Sequence, residues 1–322
     1  MIDSFGREID YLRISITDRC DMRCLYCMPD GLKSHASHGD IIRYEEIVRL
    51  CRLFATLGIR HVRLTGGEPM MRRDVTDLIA ALKAVDGIKT VTMTSNGHCV
   101  SKFAQELKKA GLDGMNISLD SLDPEMAAEV NGLPRATARA LEAIRAMQSV
   151  DIPVKVNTVL LEKTRDRLLD VTSLAEQGIP VRFIELMPVG CGNCMQGIPS
   201  EEALQMLREK YGDLVELHDK FGCGPARYFS SSALKAPVGL IDAVSHRFCG
   251  DCNRIRLTSL GKLKPCLCFD TEWDLLTPLR QGMDDEGLLS LLRESILSKP
   301  RQHEFGNAAM ITEHRMMSEI GG

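Results

Sequence analysis

No apolar run in the 322 residues approaches the ~20 that a membrane-spanning helix needs, so no membrane role is expected. The start, Met1-Ile2-Asp3-Ser4-Phe5-Gly6-Arg7-Glu8, has no apolar core of the kind that marks a secretory signal, and a cytoplasmic location is the expectation. A surplus of one charge is missing too: 40 Lys and Arg against 44 Asp and Glu leave a formal net charge of −4. That balance speaks against wholesale nucleic-acid binding, yet a phosphorylated small molecule needs only a local group of arginines. Exact repeats and low-complexity tracts are absent as well, and 44% apolar residues suffice for one large α/β domain or one domain plus an appendage.

What the chain does have is cysteine, twelve in all. In a reducing compartment these argue for metal ligation rather than for disulfides. Three stand in Cys20-Asp21-Met22-Arg23-Cys24-Leu25-Tyr26-Cys27, after the apolar alternation of Leu12, Ile14 and Ile16. Gathered thiolates suit iron–sulfur or zinc, and a closed structural site wants a fourth ligand nearby. The loop holds no fourth cysteine. A cuboidal four-iron cluster on three thiolates leaves one iron open for chemistry; a zinc knuckle completed by His35 or His38 is the alternative. Cys249-Gly250-Asp251-Cys252, with Cys266 thirteen residues further on, forms a second group of three, for which a zinc site using Cys268 or Cys223 is the alternative. Between them, Arg254 and Arg256 at i and i+2 point to one side of a strand and suit bidentate clamping of phosphate; a solvated hairpin face would also explain them. Cys191-Gly192-Asn193-Cys194 is a further C-x2-C, open to a metal shared with Cys223 and Cys268 or to plain reduced thiols.

Strand-like and helix-like segments succeed one another regularly. Strands are predicted at 12–17, 61–65, 90–95, 114–119, 154–160 and 181–187, and helices at 44–57, 74–85, 100–110, 136–150 and 168–176, with Gly58, Gly87, Gly111 and Gly178 at helix ends. This is the pattern of an α/β fold, a partial (β/α)6 barrel of TIM type with a C-terminal α+β extension, and reactive groups belong at the C-terminal ends of its strands. After Pro188 the rhythm breaks, so a barrel domain is expected over 1–188 and an extension over 189–322, where a helix at 200–211, strands near 226–230, 239–244, 254–260 and 262–265, a hairpin turn at 259–262 and a helix at 288–297 are predicted. Arg13, Arg63 and Lys155 fall inside strands that ought to be buried. Buried charge is costly unless it is paired with an anion.

The C-x3-C-x2-C spacing around Tyr26 resembles the signature of the radical S-adenosylmethionine enzymes. Cys249-x2-Cys252-Asn253-Arg254-Ile255-Arg256-Leu257-Thr258, the following Gly261-Lys262-Leu263-Lys264-Pro265-Cys266 and the end Ile320-Gly321-Gly322 are similar, in family order and essentially end to end, to the GTP 3′,8-cyclases of molybdenum cofactor biosynthesis. That resemblance implies cyclisation of GTP to (8S)-3′,8-cyclo-7,8-dihydroguanosine 5′-triphosphate with two [4Fe-4S] clusters, the first on Cys20, Cys24 and Cys27 and the second, in the extension, on Cys249, Cys252 and Cys266. It implies S-adenosylmethionine on the open iron of the first, contacted by Tyr26, Gly67, Ser118 and Met187, with Glu68 of Thr65-Gly66-Gly67-Glu68-Pro69 facing its ammonium. It implies GTP held by Arg13, Arg63, Thr94, Lys155, Arg254 and Arg256, guanine on the second cluster, and catalytic roles for Arg254, Arg256 and the tail glycines Gly321 and Gly322. The implied partners are GTP, an external one-electron donor and, by product transfer, a downstream cyclic pyranopterin monophosphate synthase; no nucleic acid or membrane is implied, and a homodimer is left open. His61 departs from the family, which usually has lysine there.

Overall fold

A computed structural model describes residues 1–31, 36–218 and 221–321. Strands β1 (Tyr11–Ser15), β2 (His61–Thr65), β3 (Thr90–Ser95), β4 (Gly114–Ser118), β5 (Val154–Leu160) and β6 (Val181–Glu185) run parallel in sequential order. Helices α1 (Tyr44–Thr56), α2 (Val75–Lys83), α3 (Ala104–Lys109), α4 (Pro124–Asn131), α5 (Ala136–Ser149) and α6 (Leu168–Glu176) connect them, as parallel pairing requires. α1 and α6 stop before Gly58 (φ +95°) and Gly178 (φ +90°), whose left-handed backbone turns the chain back toward the sheet. α4 was not foreseen; its signal is Asp123, which accepts from the amides of Glu125 and Met126, followed by Pro124 at the first helical position.

Beyond α7 (Ser200–Tyr211), strands β7 (Val215–Leu217), β8 (Arg227–Ser230), β9 (Val238–Ile241), β10 (Arg254–Leu257), β11 (Lys262–Lys264) and β12 (Trp273–Asp274) are followed by α8 (Leu276–Arg280), α9 (Asp285–Leu297) and α10 (Met317–Ile320). These strands continue the barrel's own sheet on both sides, in the order β12-β11-β10-β1-β2-β3-β4-β5-β6-β9-β8-β7. β10 lies parallel to β1, and β9 parallel to β6. The predicted turn at 259–262 joins β10 and β11 as an antiparallel hairpin.

Each barrel strand alternates in character. Leu12, Ile14, Val62, Leu64, Val91, Met93, Ile117, Val156, Phe183, Ile255 and Leu257 face outward into one core with helix residues such as Ile47, Phe54, Leu78 and Ile144. The intervening positions turn inward. Tyr11, Arg13, Arg63, Thr94, Asn116, Ser118, Asn157, Arg182, Arg254 and Arg256 line a central cavity. Burying each aliphatic side chain contributes about 1.5–3 kcal/mol, so the sheet–helix layer stabilises the fold and leaves the lumen polar. No helix among the described residues is long and apolar enough to cross a membrane.

Candidate active site

The cysteine loop leaves β1 and is held by the turn that follows β2. Gly67 N donates to Thr17 O at 2.8 Å and Glu68 N to Arg19 O at 2.7 Å. A Cβ on Gly66 would stand 2.5 Å from Thr17 O, and one on Gly67 2.2 Å from Arg19 O. The two glycines are therefore required by the approach of the cysteine loop itself. Glu68 is buried, with Oε1 accepting from Met70 N and Ser95 Oγ, both at 2.9 Å, and Oε2 from Asn96 N at 2.6 Å. Burial pushes its carboxyl up to about 7. The side chain expected to face an ammonium thus has both oxygens engaged in tying this turn to the end of β3.

Burial pushes the thiols of Cys20 and Cys27 up to about 11 and about 12 and that of Cys24 well above its ordinary value, and neighbouring thiols act on Cys24 and Cys27 in the same direction. Donors already converge on them: Met22 N on Cys20 Sγ at 3.4 Å and Asn131 Nδ2 on Cys24 Sγ at 3.3 Å, the arrangement that stabilises cluster sulfurs. No three His, Cys, Asp or Glu side chains among the described residues converge tightly enough for a single metal ion. His35, one alternative zinc ligand, lies outside the described residues.

The loop also has supports that sequence reading missed. Asp21 is held by Arg139 Nη1 at 2.6 Å, His98 Nδ1 at 2.8 Å and Asn96 Nδ2 at 2.9 Å. Tyr26 OH donates to Asp120 Oδ2 at 2.8 Å, and Asn131 Nδ2 bonds the same oxygen at 2.8 Å. Tyr26, Ser118 and Met187 line the cavity.

Across the lumen, strand register aligns the cations. Arg256, Arg13 and Arg63 are direct partners across β10, β1 and β2, on strands about 4.8 Å apart. Arg254 pairs with Tyr11 one step earlier, and Arg63 Nε donates to the Tyr11 hydroxyl. Arg182, on β6, joins them in the cavity, 6% exposed, with Nη2 donating to Asn157 Oδ1 at 2.6 Å. Burial and then mutual repulsion hold the Arg13 guanidinium well below its ordinary value and bring Arg256 down to about 10. Among the described residues no ion pair engages Arg63, Arg182, Arg254 or Arg256. A lumen of this charge calls for a polyanion. The signal for Arg182 was the one that marked Arg13, a cation between outward-facing Val181 and Phe183, and sequence reading passed it over.

Two of the basic positions do not line this cavity. Lys155 is engaged by Phe221 O and, at 3.3 Å, by Tyr228 OH, and burial, then Arg182 and Arg63, bring it down to about 8. His61 Nδ1 bonds Thr90 Oγ1 at 2.8 Å, and burial lowers its pKa.

Cys249, Cys252 and Cys266 line the cavity beside the arginines. Burial alone would raise the Cys252 thiol, but Lys299 and Arg254 outweigh it and bring it to about 6. Lys299 is fixed by Arg254 O and Pro265 O, each at 2.8 Å. The tail enters the same space: Arg256 Nη1 donates to Gly321 O at 2.7 Å, and a Ser318 amide reaches the Cys27 sulfur. Gly322 lies outside the described residues. Among the described residues Cys191, Cys223 and Cys268 form no group of three that could hold a single metal ion. Cys191 Sγ packs on Met316 Sδ at 3.8 Å, Cys223 O receives Asn253 Nδ2 at 3.5 Å, and Cys268 is buried near Cys266.

Residues 14–175 match the Radical SAM superfamily and residues 179–305 match Molybdenum Cofactor Synthesis C. A protein of Heliobacterium modesticaldum named GTP 3′,8-cyclase is 42% identical over 328 residues, covering 100% of both chains. A protein of the same name from Desulforamulus reducens is 38% identical over 327 residues, again covering 100% of each. Among solved structures, Streptococcus suis SuiB bound to S-adenosylmethionine superposes with a TM-score of 0.66 at 14% identity, over 96% of this chain and 76% of that one; this likeness is one of fold.

Proposed function

This chain belongs to the GTP 3′,8-cyclase family of radical S-adenosylmethionine enzymes, and from that premise we propose how its lumen performs the reaction. The activity is cyclisation of GTP in the first step of molybdenum cofactor biosynthesis, with S-adenosylmethionine and an iron–sulfur cluster as cofactors. The observation that carries the assignment of roles is the row Arg256–Arg13–Arg63 in a cavity that Tyr26 lines from the first thiol loop and Cys249, Cys252 and Cys266 from the second group.

In this reading Cys20, Cys24 and Cys27 would hold one [4Fe-4S] cluster and Cys249, Cys252 and Cys266 another, and the division at residue 188 would separate the radical-forming barrel from the extension that binds guanine. Bound there, the first cluster with S-adenosylmethionine would supply, given one electron from an external donor, the hydrogen-abstracting chemistry directed at C3′ of GTP. Tyr26, Ser118, Met187 and the Gly67 backbone position that cofactor. Arg13, Arg63, Arg254 and Arg256 clamp the triphosphate, with Thr94 beside them, and Arg182 adds a fifth guanidinium. Bidentate contacts of this kind fix orientation as well as charge, and holding C3′ against the radical source is the main contribution the protein can make. Ile184, Leu186, Val159 and Phe248 supply an apolar lining that keeps water from the radical. Arg254, Arg256, Gly321 and Gly322 serve the closing step, and the product passes to a cyclic pyranopterin monophosphate synthase.

Anaerobically prepared protein is expected to carry about eight irons per chain, one cubane on each thiol group, and to release 5′-deoxyadenosine with GTP-dependent formation of the cyclised nucleotide. Zinc without iron at Cys249, Cys252 and Cys266 would overturn the two-cluster reading.

Lys155 adds a pH dependence. Its ammonium must exchange Phe221 O for a phosphate, and in the free protein it loses its proton through about pH 8. The cation is fully present below that pH and lost above it, so KM for GTP is expected to rise above pH 8 in the wild type. A Lys155→Arg variant, which keeps its charge, should show a flatter profile; equal slopes would remove Lys155 from the phosphate site.

A further inference from the structure

Two residues beyond Cys266, Cys268 is fully buried and close enough to Cys266 and Cys249 for their charges to act on its thiol. Successive amides of one segment donate to this pair of sulfurs, His303 N to Cys249 Sγ at 3.4 Å and Glu304 N to Cys268 Sγ at 3.3 Å. Consecutive N–H groups converging on sulfur stabilise sulfur that carries negative charge, as in many iron–sulfur sites. A cysteine that merely fills a core has no use for such a donor: Cys51, equally buried, responds to burial alone. Cys268 belongs to one apolar cluster with Val189, Leu267, Phe305, Ile311 and Ile320, the last of these adjacent to Gly321.

We propose that Cys268 is a fourth thiol of the second centre, closing the open iron in the absence of nucleotide and yielding it when guanine binds. The proposal rests on the two-cluster reading above. Cys249, Cys252 and Cys266 line the cavity and Cys268 does not, so its engagement requires the side chain to leave the Glu304 amide that now holds it. The exchange is a ligand substitution without oxidation or reduction: the thiol gives its proton to solvent on binding iron and recovers one on release. A thiol tethered this close competes at high effective concentration, so the resting site is shielded and nucleotide binding is weakened by the competition. Ile320, in the same apolar cluster as Cys268, places the exchange beside the seat of the tail.

The test compares anaerobically reconstituted holoenzyme with its Cys268→Ala variant. Without GTP, the electron paramagnetic resonance spectrum of the reduced second cluster should differ between the two, and with saturating GTP the spectra should coincide. C268A should bind GTP several-fold more tightly and, in its nucleotide-free state, lose iron faster to a chelator. Cys268→Ser, nearly isosteric and a poor iron ligand, gives the same comparison if the alanine variant folds badly. Identical nucleotide-free spectra with equal GTP affinity would overturn the role of Cys268 alone. Wild-type protein holding only about four irons, unchanged by alanine at Cys249, Cys252 and Cys266, would instead remove the second cluster and this proposal with it.

Discussion

Replacing Arg256 with alanine is expected to lower the rate of cyclised-product formation by roughly 10²-fold while S-adenosylmethionine cleavage persists. A hydrogen bond to a charged group is worth about 1.5–3 kcal/mol, and each 1.36 kcal/mol is about tenfold in rate. Arg256 is the outer member of the row with Arg13 and Arg63 and also holds Gly321 O at 2.7 Å, so its removal loosens phosphate and tail together. Arg256→Lys retains the charge without the planar fork and should recover only part of the loss. The measurement is product and 5′-deoxyadenosine quantified in one anaerobic reaction. Undiminished cyclisation in R256A would take this arginine out of the site.

The second large effect is on stability. Lys264 and Glu313 are 0% and 1% exposed and 2.5 Å apart, and Arg315 adds a 2.8 Å contact to the same carboxylate oxygen. Glu313→Ala strands a buried ammonium and is expected to cost about 3–5 kcal/mol, whereas the paired change Lys264→Met with Glu313→Leu should restore most of it. Denaturant unfolding of the holoenzyme reads both. Burial alone would raise the Glu313 carboxyl; Arg315 and Lys264 outweigh it and bring it down to about 2. Its folded value lies below the ordinary glutamate value near ~4.3, so its contribution is whole above that pH and is lost as pH falls toward about 2. A single variant as stable as the wild type would mean that solvent reaches Lys264. The segment held here leads directly into α10 and Gly321, so E313A should weaken tail docking as well.

Much of the barrel is legible in the chain because its signals are local. The predicted spans 61–65, 90–95 and 154–160 coincide with strands, and α6 with its predicted 168–176, since period-two and period-3.6 patterns need no distant partner. Predicted strands at 12–17 and 181–187 end earlier, at Ser15 and Glu185, because those chain ends leave the ladder to form site loops. The predicted helix at 100–110 opens with a 3₁₀ turn at Val100–Phe103. Gly66 and Gly67 mark a close approach in sequence, but not what approaches. Contact with Thr17 O and Arg19 O depends on two loops that follow different strands.

By itself the sequence determined the spacing of each thiol group, the helix stops and the alternation that sends Arg13, Arg63, Arg254 and Arg256 to the polar side of their strands. It contained no term for the distance between Arg13 and Arg256, which are separated by most of the chain. That was decided by β10 adding to the free edge of β1 in parallel register. A hydrogen-bond ladder sets register between strands whatever their separation in sequence, and a shift of one residue would turn both arginines out of the lumen.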